Sequence, residues 1–164
     1  ISLLEENHHL MTLRVSSLKA MTERVIRSMT PRLVQEQAEV TLEAPDDDYL
    51  CPLDELFAEG VLINLIDNSL KYSGGKANIR VMLSQDGKQV WLTVRDHGPG
   101  IPEQFMHKVF DKFFRVPTGD RHNIKGHGLG LSYAAQVMGQ HHGAIHVCNC
   151  DDGGCAFTLT FPKE

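Results

Sequence analysis

Between Ala77 and Asp96 the sequence spells out an antiparallel hairpin, and that hairpin restricts the fold more than any other stretch. Its arms, Ala77–Ser84 and Gln89–Asp96, flank the turn Gln85-Asp86-Gly87-Lys88. In the second arm Val90, Leu92 and Val94 alternate toward one face, the period-2 pattern of a strand with one buried side. An apolar sheet face must be covered, and helices are available to cover it. Leu18–Gln37 places Leu18, Met21, Val25, Met29, Leu33 and Val34 at helical spacing, with Pro31 interrupting it. Leu53–Tyr72 forms a second helix closed by Ser73-Gly74-Gly75, and Gly128–His141 a third.

Short extended pieces are expected at Leu13–Leu18, around Val40 and Leu42, and at Tyr49–Pro52. A closing hairpin joins Ala144–Cys150 to Cys155–Phe161 around Asp151-Asp152-Gly153-Gly154. Gly98–Lys125 reads as a long loop, helical only around Glu103–Asp111; loops of that length are functional or disordered. Helices alternating with antiparallel hairpins predict an α+β fold, a two-layer α/β sandwich on a mixed, mostly antiparallel sheet with helices on one face.

A chain of 164 residues fits one domain, assigned to residues 13–164, with residues 1–12 a linker or the end of an upstream helix. The formal charge of −5 argues against a broad nucleic-acid surface, which needs a basic face. The longest apolar run, Val61–Ile66, is broken at Asn64 and falls far short of the ~20 residues of a spanning helix. The chain starts without Met and without a basic leader, so it is read as an excised fragment, with any membrane anchor of the parent protein outside it. His8 and His9 lack the acidic-then-proline context of a phospho-acceptor and are read as surface residues. Cys148, Cys150 and Cys155, near His141, His142 and His146, are either a metal cluster or two arms of a hairpin with Cys150 opposite Cys155. Their spacing departs from zinc-site patterns and favours the hairpin.

Four motifs carry chemistry. In the second helix Asn64, Asn68 and Lys71 fall on one face of an otherwise apolar segment containing Leu62, Ile63, Leu65 and Ile66. The stripe either faces solvent or offers an amide oxygen to Mg²⁺ and a positive charge to phosphate. Asp96-His97-Gly98-Pro99-Gly100 follows the hairpin, with Asp96 continuing the buried face. A carboxylate there either caps a turn or takes the exocyclic amine of adenine, which would reject guanine. Lys125-Gly126-His127-Gly128-Leu129-Gly130-Leu131 leads into a helix, an arrangement that directs amides and the helix dipole at a phosphate, or else a flexible linker. Phe110, Phe113, Phe114 and Arg115 lie in the long loop and either pin it to the core or present a docking surface.

In this order and spacing the motifs resemble the N, G1, F and G2 boxes of sensor histidine kinases, across residues 53–162 and more loosely 13–52. The segment before the N box is similar to the potassium-sensing Kdp type. The resemblance implies the Bergerat ATP-binding sandwich, shared with Hsp90, gyrase B and MutL, with a long ATP lid. It implies ATP and Mg²⁺ as cofactors. Asn68 would coordinate Mg²⁺, Asn64 would sit beside the triphosphate, and Lys71 and Tyr72 would line the phosphate and sugar side. Asp96 would bind adenine, framed by Gly98, Gly100 and Ile101. Gly126, Gly128 and Gly130 would wrap the phosphates, with Leu129 ordering the lid and Arg115 and Lys125 as further phosphate contacts; His127 stands where the family more often has a small or hydroxylic residue, and either touches a phosphate or, the favoured reading, faces solvent.

Related ATP hydrolases carry a glutamate where this chain has Asn64, so ATP would be held until a histidine on a missing dimerisation domain receives its γ-phosphate. That domain and a response regulator are the implied partners, and the fragment alone would have almost no autokinase activity. An anti-sigma-type serine kinase of the same fold lacks the F-box-like segment; a nucleotide-sensing or protein-interaction module without catalysis is the non-enzymatic alternative. One departure concerns the adenine side: Cys155 and Ala156 follow Gly154, where the family often has threonine.

Overall fold

The computed structural model describes residues 11–73, 75–111 and 129–164. In chain order the elements are β1 (Arg14–Ser17), α1 (Leu18–Gln35), β2 (Glu39–Glu43), β3 (Leu50–Leu53), α2 (Glu55–Tyr72), β4 (Asn78–Gln85), β5 (Gln89–Arg95), a 3₁₀ turn (Glu103–Phe105), α3 (Leu129–Gln140), β6 (Ala144–Asn149) and β7 (Cys155–Pro162). Five strands form one sheet in the order β2-β4-β5-β7-β6. β2 lies parallel to β4, and all other neighbours are antiparallel. β1 and β3 form a separate antiparallel ribbon. This is the mixed, mostly antiparallel α/β sandwich that the alternation of helices and hairpins requires.

The core follows from the two periodicities. Ile79, Val81 and Leu83 of β4, Val90, Leu92 and Val94 of β5, and Phe157, Leu159 and Phe161 of β7 are all buried. Against them pack Leu18, Met21 and Val25 of α1, Val61, Leu62, Leu65 and Ile66 of α2, and Ala134, Val137 and Met138 of α3. Side chains on the other sheet face, such as Trp91 and Thr93, are half-buried. No helix among the described residues is long and apolar enough to cross a membrane.

Several boundaries differ from the sequence reading, each for a local reason. α2 begins two residues later than Leu53, because Leu53 is the last residue of β3 and Asp54 caps the helix through Leu56 N–H and Phe57 N–H at 3.1 and 3.3 Å. Pro31 does not interrupt α1, which continues to Gln35. It sits on the exposed side, where the carbonyl of exposed Arg27 that it leaves without a helical donor faces solvent. Glu103–Asp111 is helical only over Glu103–Phe105. Beyond it the bonds Lys108 N–H to Phe105 O and Asp111 N–H to Lys108 O keep three-residue spacing and turn Val109 into the core. Gly128 lies outside the described residues, and α3 starts at Leu129.

The cysteine expectation also changes. All four cysteines are free, and the residue opposite Cys155 in the β6–β7 ladder is Asn149, not Cys150. Cys150 has already left the strand, and its N–H bonds to Gly154 O within the turn. Cys155 is buried and Cys148 exposed, and among the described residues no three His, Cys, Asp or Glu side chains are grouped to hold a metal.

Candidate functional site

Asp96 is the first residue after β5 and continues the buried alternation of Val90, Leu92 and Val94. It is only 8% exposed, so its carboxylate needs donors. Oδ1 accepts from Gly98 N–H at 3.0 Å and Cys155 N–H at 3.2 Å. Oδ2 lies 3.4 Å from both the Ser69 hydroxyl and the Cys155 thiol. Ser69 has a single proton and a shorter alternative acceptor, Leu65 O at 3.2 Å. When the hydroxyl turns to Leu65, Oδ2 retains only a weak S–H donor. Burial, reinforced by the adjoining carboxylate, pushes the Cys155 thiol far above its ordinary range, so it stays protonated and donates.

Three segments therefore converge on one carboxylate: the C-terminal half of α2 through Ser69, the start of β7 through Cys155, and the loop after β5. Asn68 precedes Ser69 on α2 and lies about 100° around the helix axis from it. The contact is close. A side chain on Gly98 would place its Cβ 3.2 Å from Tyr72 O. Gly154, at φ +79°, has no space for one, since a Cβ there would lie 2.1 Å from Asp96 O.

The stripe itself divides. Asn64 and Asn68 are half-buried, and their amides pair with no other described side chain. The Asn68 carbonyl is thus available as a hard oxygen donor of the kind Mg²⁺ takes. Lys71 is exposed and pairs with Asp67 at 3.0 Å, while Asp67 also holds Arg32 of α1 at 2.5 Å. Tyr72 is half-buried at the end of α2.

Gly100 and Ile101 are held from β6. Ile101 N–H donates to Asn149 Oδ1 at 2.9 Å, and Asn149 Nδ2 donates to Ile101 O at 2.6 Å. Phe110 packs edge-on against Phe157 with ring centroids 6.4 Å apart, so the F-like segment begins pinned to the core. Phe113, Phe114, Arg115, Lys125, Gly126, His127 and Gly128 lie outside the described residues; Leu129 and Gly130 are placed as the first turn of α3.

Sequence reasoning missed Ser69, Asp67 and Asn149. Ser69 stands inside the quoted asparagine motif, and its hydroxyl in an apolar helix was a usable sign. Asp67 precedes Lys71 by four residues, the spacing of a helical ion pair. Nothing in the sequence marks Asn149, whose contact spans 48 residues.

A buried strand-end carboxylate held between an asparagine-bearing helix and a glycine-bearing loop is an arrangement open to a nucleotide, and the family match makes the class that of the nucleotide-binding ATPases. Residues 53–164 match the family described as histidine kinase-, DNA gyrase B-, and HSP90-like ATPase. The chain belongs to this family, whose membership implies an ATP site. It is 29% identical over 155 residues to the sensor protein RprX of Bacteroides fragilis, covering 92% of this chain and 30% of that protein. It is 35% identical over 126 residues to the sensor protein KdpD of Escherichia coli K12, covering 76% of this chain and 14% of that protein. The Kdp type is thus among the relatives, beside other sensor proteins. The solved catalytic domain of the histidine kinase ThkA superimposes with a TM-score of 0.81 at 26% identity, covering 92% of this chain and 97% of that one. The chain spans less than a third of the length of RprX or KdpD.

Proposed function

We propose that this chain is the ATP- and Mg²⁺-binding catalytic domain of a two-component sensor histidine kinase. In this reading Asp96 takes the exocyclic amine of adenine on Oδ2, the oxygen with the fewest firm donors, and discriminates against guanine, whose carbonyl would meet a carboxylate. Gly98, Gly100 and Ile101 frame the flat base. Asn68 and Asn64 hold the metal and phosphates, Lys71 swings from Asp67 toward phosphate charge, and Tyr72 lines the sugar side. The start of α3, with Leu129 and Gly130, adds amides and the positive end of its dipole, and Gly126, Gly128, Lys125 and Arg115 extend the phosphate side.

Bound Mg²⁺ would supply charge neutralisation on the phosphates. The chain's own contribution is binding and orientation. An amide at position 64 takes no proton from water, so this residue type favours holding ATP for a histidine over hydrolysing it. The partners in this reading are a histidine-bearing dimerisation domain and a response regulator, and the parent protein is membrane-anchored with this domain in the cytoplasm.

The observation that carries the reading is the meeting of Ser69, Asp96 and Cys155, which ties the helix bearing Asn64 and Asn68 to a buried strand-end carboxylate. Titration calorimetry with a non-hydrolysable ATP analogue tests it. Binding that strengthens with Mg²⁺ is expected, and no heat at millimolar nucleotide contradicts it. In a radiolabel assay the chain should phosphorylate a histidine domain added in trans and not itself.

A further inference from the structure

The last rung of the β6–β7 ladder is the pair Asn149 and Cys155, and both members reach across to the same short loop. Cys155 holds its beginning, through N–H and thiol contacts to Asp96 at 3.2 and 3.4 Å. Asn149 holds its end. Its side-chain amide accepts from Ile101 N–H at 2.9 Å and donates to Ile101 O at 2.6 Å, imitating the backbone of an additional strand. Between them Gly100 adopts φ +79°, and a Cβ there would come within 2.8 Å of Asn149 Oδ1. The glycine is therefore needed for the asparagine to reach its partner. Asn149 is exposed and makes no packing contribution to the core, so its two bonds serve the loop and not the fold.

We infer that Asn149 is a positioning residue that fixes the Gly98–Ile101 backbone at the height set by Asp96, so that a base meets carboxylate and loop together. The inference deepens the nucleotide reading above and rests on it. A flat purine must satisfy an in-plane donor contact and a stacking contact at once. A loop free to slide costs affinity because its ordering must then accompany binding. Asn149 removes that cost in advance, and Cys155, one rung across, keeps the two ends of the loop in register.

The test compares ADP and GDP binding by calorimetry for the wild type, Asn149→Ala and Asn149→Asp. Loss of both Ile101 bonds in Asn149→Ala should weaken ADP by about tenfold, with little change in GDP, so the selectivity ratio falls. Asn149→Asp keeps the acceptor for Ile101 N–H but opposes Ile101 O, and should fall between the two. In the unliganded protein, amide hydrogen exchange at Ile101 should accelerate in Asn149→Ala while the melting temperature stays close to that of the wild type. A folded Asn149→Ala that binds ADP within about twofold of the wild type overturns the inference, as does an equal proportional loss of ADP and GDP. Should Asn149→Ala fail to fold, Asn149→Asp carries the same criteria. A wild type that binds no adenine nucleotide removes the nucleotide reading and the inference with it, whereas normal wild-type binding with an indifferent Asn149→Ala removes only the inference.

Discussion

His141 should be the histidine on which the stability of this domain depends most, and substituting it by alanine should cost several kcal/mol. The ring is 2% exposed and wedged between the end of α3 and the start of α2. Nδ1–H donates to Val137 O at 2.8 Å, and Nε2 accepts from Asp54 N–H at 3.0 Å, which fixes a neutral ring with its proton on Nδ1. Its plane stands at 88° to Phe161, with centroids 5.7 Å apart. Asp54, held by this bond, caps α2 and also accepts from Thr12 N–H at 2.9 Å. In His141→Ala the Asp54 N–H loses its acceptor, worth about 1–3 kcal/mol when buried. The vacated ring volume adds about 2 kcal/mol more.

A total near 3–5 kcal/mol is a large share of the roughly 5–15 kcal/mol of a typical domain. Urea unfolding at about pH 8 measures it, with the midpoint falling and the slope unchanged. The effect should depend on pH in a defined direction. Burial lowers the His141 pKa, against the opposing pull of Val137 O and Asp54. The unfolded ring protonates near pH 6.5, while the folded ring stays neutral to lower pH. Its stabilising contribution is therefore complete above about pH 6.5 and is lost as pH falls through that value toward the folded pKa. The gap between wild type and His141→Ala should narrow as pH is lowered. A loss under about 1 kcal/mol at pH 8, or a gap that widens on acidification, would refute the placement of this ring.

Other outcomes follow from the site. Gly154→Ala, which forces a Cβ to within 2.1 Å of Asp96 O at φ +79°, should displace Asp96 and abolish ADP binding in calorimetry. Asn68→Ala should leave the urea midpoint within about 0.5 kcal/mol of the wild type, because its amide has no described partner, yet remove the Mg²⁺ dependence of nucleotide affinity. Iodoacetamide followed by mass spectrometry should label exposed Cys148 in the native protein. Cys51, pushed up to about 12 by burial, and Cys155, held protonated beside Asp96, should react only on unfolding.

Much of this architecture was legible in the sequence because periodicity is a local property. The alternation of Val90, Leu92 and Val94 told correctly that Asp96 would arrive on the core side, and helical spacing told correctly that Leu18, Met21, Val25, Met29 and Leu33 of α1 are buried, whereas Val34, counted with them, is exposed. What escaped depends on pairs distant in sequence. Asn149 and Ile101 meet only because β6 is the edge strand beside β7, and no spacing rule reports that. Cys150 was set opposite Cys155 because the two were counted symmetrically about the turn. The Cys150–Gly154 bond shifts the ladder so that Asn149 takes the place instead. Pro31 was read as a helix interruption from its missing N–H, yet its exposed position makes that loss cheap. The substitution of Cys155 for a hydroxyl-bearing residue raised a question about the adenine side. The thiol is found on Asp96 itself, where it takes the place of such a donor.

The central claim is tested most directly by titrating the wild type and Asp96→Asn with ADP and GDP in Mg²⁺. An asparagine can keep Oδ1 on Gly98 N–H and Cys155 N–H while its Nδ2 turns toward Ser69, which can then donate to Leu65 O, so the variant should remain folded. The wild type should prefer ADP, and Asp96→Asn should lose that preference because an amide N–H now faces the adenine amine. Equal selectivity in the two proteins, or a wild type indifferent to the base, would contradict it.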